Sequence, residues 1–98
     1  MRINTRRIEK ILIETDICGF GIRMEEREYK LDAKIIAKRL RDYRESIEVH
    51  NHNCVAVVVM NVFDEGYAFG YNSFRNLGAD KHNTIREIAK RIVKEAIK

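Results

Sequence analysis

The feature that most limits what this chain can become is Cys54-Val55-Ala56-Val57-Val58-Val59-Met60, a charge-free run with four valines. β-Branched side chains lose rotamer freedom against the preceding turn of a helix and pack well on a pleated surface. A charge-free run of this length predicts a central strand covered on both faces. His50 to Asn53 reads as the polar turn leading into it. Asp64-Glu65-Gly66 reads as a short hairpin loop, with glycine available for a positive φ, and Tyr67 to Phe74 as the antiparallel return.

A second sheet region is expected earlier. From Ile17 to Met24 the chain alternates, with Cys18, Phe20, Ile22 and Met24 on one side and Gly19, Gly21 and Arg23 on the other, the period of a strand with one buried face. Tyr29 and Leu31 then fit a short second strand.

Three helices complete the pattern. Ile8, Ile11, Leu12 and Thr15 recur at helical spacing over Arg6 to Thr15, with Asn4 or Thr5 available as N-cap, although Ile11-Leu12-Ile13 also suits a strand. Asp32 is a good N-cap for a middle helix over about 33–44, and Ala33, Ile36, Ala37, Leu40, Tyr43 and Ile47 follow at spacings that keep one helical face apolar. At the C-terminal end, Thr84 and Glu87 form a T-x-x-E capping box. Ile85, Ile88, Ala89, Ile92, Val93, Ala96 and Ile97 then follow at helical spacing to the end of the sequence. The order α-β-β-α-β-β-α predicts an α+β fold, an antiparallel sheet with helices packed on it.

The 98 residues suffice for one core, so residues 1–98 are expected to form a single domain. Hydrophobic residues at 45% supply material for that core and argue against disorder. A domain of this size buries a modest share of its surface, which favours a homo-oligomer joined through a sheet edge or helix face. No signal peptide or membrane-length apolar run is present, and Cys18 and Cys54 sit in apolar patterns as reduced, buried thiols. A soluble, cytoplasmic protein is expected.

The 19 Lys and Arg residues against 15 Asp and Glu give a formal charge of +4, which favours anionic partners. Arg86, Lys90, Lys94 and Lys98 fall at i+4 spacing and stack in one column on the final helix, with Arg91 beside them. A solvated face explains such a column, since Glu87 and Glu95 offset the charge and cations near a helix C-terminus are favoured by the dipole. The functional reading makes it a phosphate contact, extended by Lys81 and His82 just before the helix. Strand alternation likewise places Tyr67, Phe69 and Tyr71 on one face and Ala68, Gly70 and Asn72 on the other. The three rings are either core or an exposed platform for stacking bases.

Gly66-Tyr67-Ala68-Phe69 resembles the central motif of the RNA-recognition-motif family, Gly-aromatic-small-Phe on a strand following a hairpin. That resemblance implies that Tyr67 and Phe69 stack bases. It covers only these residues: Glu65 stands where a basic residue is expected, Gly70 where an aliphatic is, and Asn72 where an aromatic is. The expected element order also ends on a helix, whereas the family ends on a strand. Two strands, a loop with Gly78 and Lys81, and a basic helix are similar to the second half of a double-stranded-RNA-binding domain, which implies phosphate contacts from Lys81 and from Arg86 or Lys90. The consecutive lysines of that family are absent.

His50, His52 and Cys54 alternate, so an extended strand would point all three the same way as possible zinc ligands, but no second Cys or His pair completes a recognised pattern. No cofactor is expected. Neither a Walker loop nor a nucleophile elbow is present, and a Cys54 nucleophile with His52 lacks an identifiable third group. The expectation is a non-enzymatic binding protein for a phosphate-bearing nucleotide, small or cyclic, or for RNA. Its site is Tyr67, Phe69, Tyr71, Arg75, Lys81, His82, Arg86 and Lys90. The contrasting expectation is a protein-interaction module or inhibitor with no nucleotide ligand.

Overall fold

The computed structural model describes residues 2–15, 26–43, 51–66 and 79–97. They form four α-helices: α1, Thr5–Glu14; α2, Glu26–Tyr43; α3, His52–Gly66; and α4, Ala79–Arg91. The last continues into one π-helical turn, Ile92–Ala96. Among the described residues there is no strand, only an isolated antiparallel bridge between Ile3 and Ile97. The expected α+β fold is therefore incorrect, and the architecture is a helical bundle.

The first helix forms where its spacing predicts. Asn4, with extended backbone, is the N-cap, and its Oδ1 accepts from the Arg7 N–H at 3.1 Å. Ile8, Ile11 and Leu12 are fully buried along one face.

The second helix begins well before the expected start. Tyr29 is buried one turn ahead of Ala33, so the apolar stripe Tyr29, Ala33, Ile36, Ala37 and Leu40 runs back through the residues expected to form a strand. No Gly or Pro interrupts 26–43. Asp32 is therefore not an N-cap but a buried residue inside α2, 4% exposed.

The largest correction falls on the valine run. Cys54 to Met60 lies inside α3, with Val55, Val58, Val59 and Val62 buried at i, i+3, i+4 and i+7 and Val57 left 54% exposed. In a strand Val55, Val57 and Val59 would share one face. Asn61 is the sole polar residue between Cys54 and Phe63, so the apolar segment is longer than an ordinary strand and of helical length. Asn51 starts the helix, its Oδ1 accepting from the Asn53 N–H at 2.9 Å. The valine penalty in a helix is only about half a kcal/mol per residue, which core burial outweighs. Asp64-Glu65-Gly66 forms the last turn of α3 and no hairpin loop. The expected strands at 17–24 and 67–74 lie outside the described residues.

In α4, Ile85, Ile88, Ala89 and Ile92 face the core as expected. The helix starts at Ala79, however, so Thr84 is interior and the capping box does not form. Nothing between Ala79 and Asn83 breaks a helix, and Gly78 immediately precedes them. Nor does the helix run on past Ala96. The Ile97 N–H bonds the Ile92 carbonyl at 3.1 Å, Ile97 turns extended, and the Asn4 N–H donates to the Ala96 carbonyl at 2.8 Å.

Each helix packs on its neighbour in sequence, and the π turn returns to α1 and closes the ring. One continuous cluster of buried side chains joins all four helices with Ile3 and Ile97.

Candidate basic surfaces and the groove between α3 and α4

Of the eight expected site residues, the structure fixes the surroundings of two. Tyr67, Phe69, Tyr71 and Arg75 lie outside the described residues. Lys81 and His82 fall in the first turns of α4 with their side chains undescribed. Arg86 and Lys90 are exposed one turn apart on α4, with exposed Lys94 in the π turn.

The structure divides this basic column. The Lys90 Nζ lies 3.6 Å from Glu87 Oε1. Arg91 turns inward and forms a fork on Glu95, Nε to Oε2 at 2.7 Å and Nη2 to Oε1 at 3.4 Å, while Nη2 also donates to Glu14 Oε2 at 3.1 Å. Arg7 adds a 3.7 Å pair to Glu95, and Lys10 a 3.8 Å pair to Glu14. These charges tie α1 to the C-terminal turn. The hydrogen bonds that Arg91 donates to Glu95 and Glu14 raise its affinity for its proton above the ordinary value. The bond from Arg91 holds the Glu95 carboxyl below the usual carboxylate range. Arg91 is thus a structural cation, whereas Arg86 and Lys94 remain outside this network.

Arg86 borders a groove of about 230 Å³ between α3 and α4. On α3 the residues Asn53, Ala56, Val57 and Met60 line it at i, i+3, i+4 and i+7, facing Ile85 and Arg86 on α4. Buried Ala56 and Ile85 form its floor, and Val57 and Met60 keep apolar surface accessible. An apolar floor with an amide and a guanidinium at its edge suits a flat, partly polar ring carrying an anion. Asn53, Val57 and Met60 are absent from the expected site because the sequence reading places Asn53 in a polar turn and Val57 and Met60 on opposite faces of a central strand covered on both sides. The spacing that unites them becomes visible once Asn51 is taken as a helix cap.

A second basic region lies between α1 and α2, where Thr5, Arg6, Glu9, Lys30 and Lys34 line a groove of about 290 Å³. The i+4 series Lys30, Lys34 and Lys38 is present in the sequence, but only the backward extension of α2 makes it one helical column.

The possible zinc set changes as well. His52 and Cys54 are in the first turn of α3, where residues two apart point about 200° from each other, so helix formation removes the shared face. His50 lies outside the described residues. No group of three metal-binding side chains occurs among those described, and Cys54 is a partly buried free thiol. No helix among the described residues is long and apolar enough to cross a membrane. Comparison with family models, curated proteins and solved structures gives no match.

Proposed function

We propose that this chain is a non-enzymatic RNA-binding protein that seats a base in the groove between α3 and α4 and the adjoining phosphate on Arg86, with Lys90 one turn further on. The observation that carries this reading is the position of Arg86, an exposed cation at the edge of accessible apolar surface from Val57 and Met60. Base and phosphate are the two parts of a nucleotide, and stacking or apolar contact with the first is tolerant of sequence. The exposed Asn53 supplies an amide that can both donate to and accept from a base edge.

A polymer suits the surface better than a free nucleotide. Small-ligand pockets enclose about 300 to 1,000 Å³, whereas this groove holds only about 230 Å³. Each unit would add modest affinity, and several in series would add up. The aromatic residues at 67, 69 and 71 carry no part of this reading.

Binding of a fluorescent oligouridylate, measured by anisotropy over a range of salt, tests the proposal. The logarithm of the binding constant is expected to fall linearly with log salt. Arg86→Ala should make the slope shallower by about 0.7, the share of one phosphate contact on a single strand. Val57→Asp should weaken binding by placing a carboxylate in the groove. Absence of binding by the wild-type protein, or wild-type affinity and slope in both variants, would overturn the proposal.

A further inference from the structure

We infer that the groove between α1 and α2 is a second seat for the phosphate backbone of RNA, built from Arg6, Lys30 and Lys34. The inference rests on the proposed function for the identity of the polymer, and on a different face of the bundle for its cations.

What marks this groove is that three cations converge on it without an ion pair among the described residues. Arg7, Lys10, Lys90 and Arg91 are each tied to a carboxylate. Arg6, Lys30 and Lys34 have no carboxylate within ion-pair distance among the described residues, although they converge on one depression. Arg2 extends the positive surface, lining an adjoining depression of about 320 Å³ that shares Thr5 and Arg6. Exposed Lys38 continues the α2 column by one turn. Cations one helical turn apart are spaced by about 6 Å along the axis, so the column presents its charges as a line. A line of uncompensated cations beside an open groove fits a chain of phosphates, because an extended polyanion satisfies all of them at once and releases its counterions.

Among the described residues Glu9 is the single acid lining this groove, and it makes the inference testable with a gain. A carboxylate beside a phosphate path repels it, so Glu9→Gln strengthens binding. The expected increase is about twofold, the effect of removing one charge about 6 Å from a phosphate in water, screened at about 0.1 M salt.

The experiment titrates an oligouridylate of about 16 nucleotides, within the span of known single-strand sites. It is applied to wild type, Glu9→Gln and a triple variant, Arg6→Gln with Lys30→Gln and Lys34→Gln, with thermal melting as a check on folding. The inference expects tighter binding by Glu9→Gln and a salt slope shallower by about 2 in the triple variant. An unchanged slope in the triple variant, while Arg86→Ala still weakens binding, overturns this groove and leaves the proposed function standing. A reduced slope in the triple variant with wild-type behaviour of Arg86→Ala has the opposite meaning. Failure of the wild-type protein to bind the oligonucleotide, or binding only to phosphatidylserine vesicles, overturns both.

Discussion

Glu95 shows how a single side chain can be diverted from an expected role. In the sequence it offsets the basic column of the final helix, and in the fold it accepts the fork of Arg91 and a further ion pair from Arg7. Because its folded-state pKa is depressed by Arg91, its contribution to stability is fully present above the unfolded carboxylate value and is lost as pH falls through the folded value. Glu95→Gln should therefore lower the melting temperature at neutral pH, and the gap from wild type should close as the pH is taken below about 4. Thermal melts of the two proteins at several pH values measure this directly. A gap that is constant down to strongly acidic pH would mean that the carboxylate charge is not what stabilises the turn. Arg86 lies at the other extreme, exposed and outside this network, which is why the functional reading settles on it and not on Arg91.

Among the elements, α3 carries the greatest difference between expectation and outcome. A strand puts Val57 and Val59 on the same face, so truncating either would cost about the same. The helix buries Val59 fully and leaves Val57 more than half exposed. Val59→Ala should accordingly destabilise by about 2 kcal/mol, and Val57→Ala should change stability by less than about 0.5 kcal/mol, because lost contact is offset by alanine's helix propensity. Urea unfolding of the two variants separates the alternatives, and equal losses would favour the strand. The periodic stripes of α1 and α4 were legible because polar residues punctuate them at every turn. The valine run was not, since a short unbroken apolar segment fits either period, and only Asn51 and the length to Phe63 distinguish them. The candidate site suffered in proportion. Arg86 and Lys90 were legible as one helical face, but Asn53, Val57 and Met60 form a stripe only in a helix. Lys30 and Lys34 form one column facing Arg6 of α1 only when α2 begins before Tyr29.

At the scale of the whole molecule, the closed order of packing explains how charges scattered through the sequence form two distinct surfaces. The α1 helix sits between α2 and the C-terminal turn, so it sends Arg7 and Glu14 to the ion-pair network on one flank and Arg6 and Glu9 to the groove beside α2 on the other. Internal pairing therefore consumes the cations on one side of α1 and leaves those on the other available. The bridge from Ile3 to Ile97 and the hydrogen bond from Asn4 to Ala96 hold the ring closed. The proposed RNA contacts on the two candidate surfaces would then fall on separated stretches of the same strand. The most direct measurement is backbone amide chemical-shift mapping of the intact protein titrated with oligouridylate. The account predicts saturable shifts centred on Asn53, Val57 and Arg86 and on Arg6, Lys30 and Lys34. Shifts absent from both groups at saturating RNA, or confined to the ion-pair network of Arg7, Glu14, Arg91 and Glu95, would contradict it.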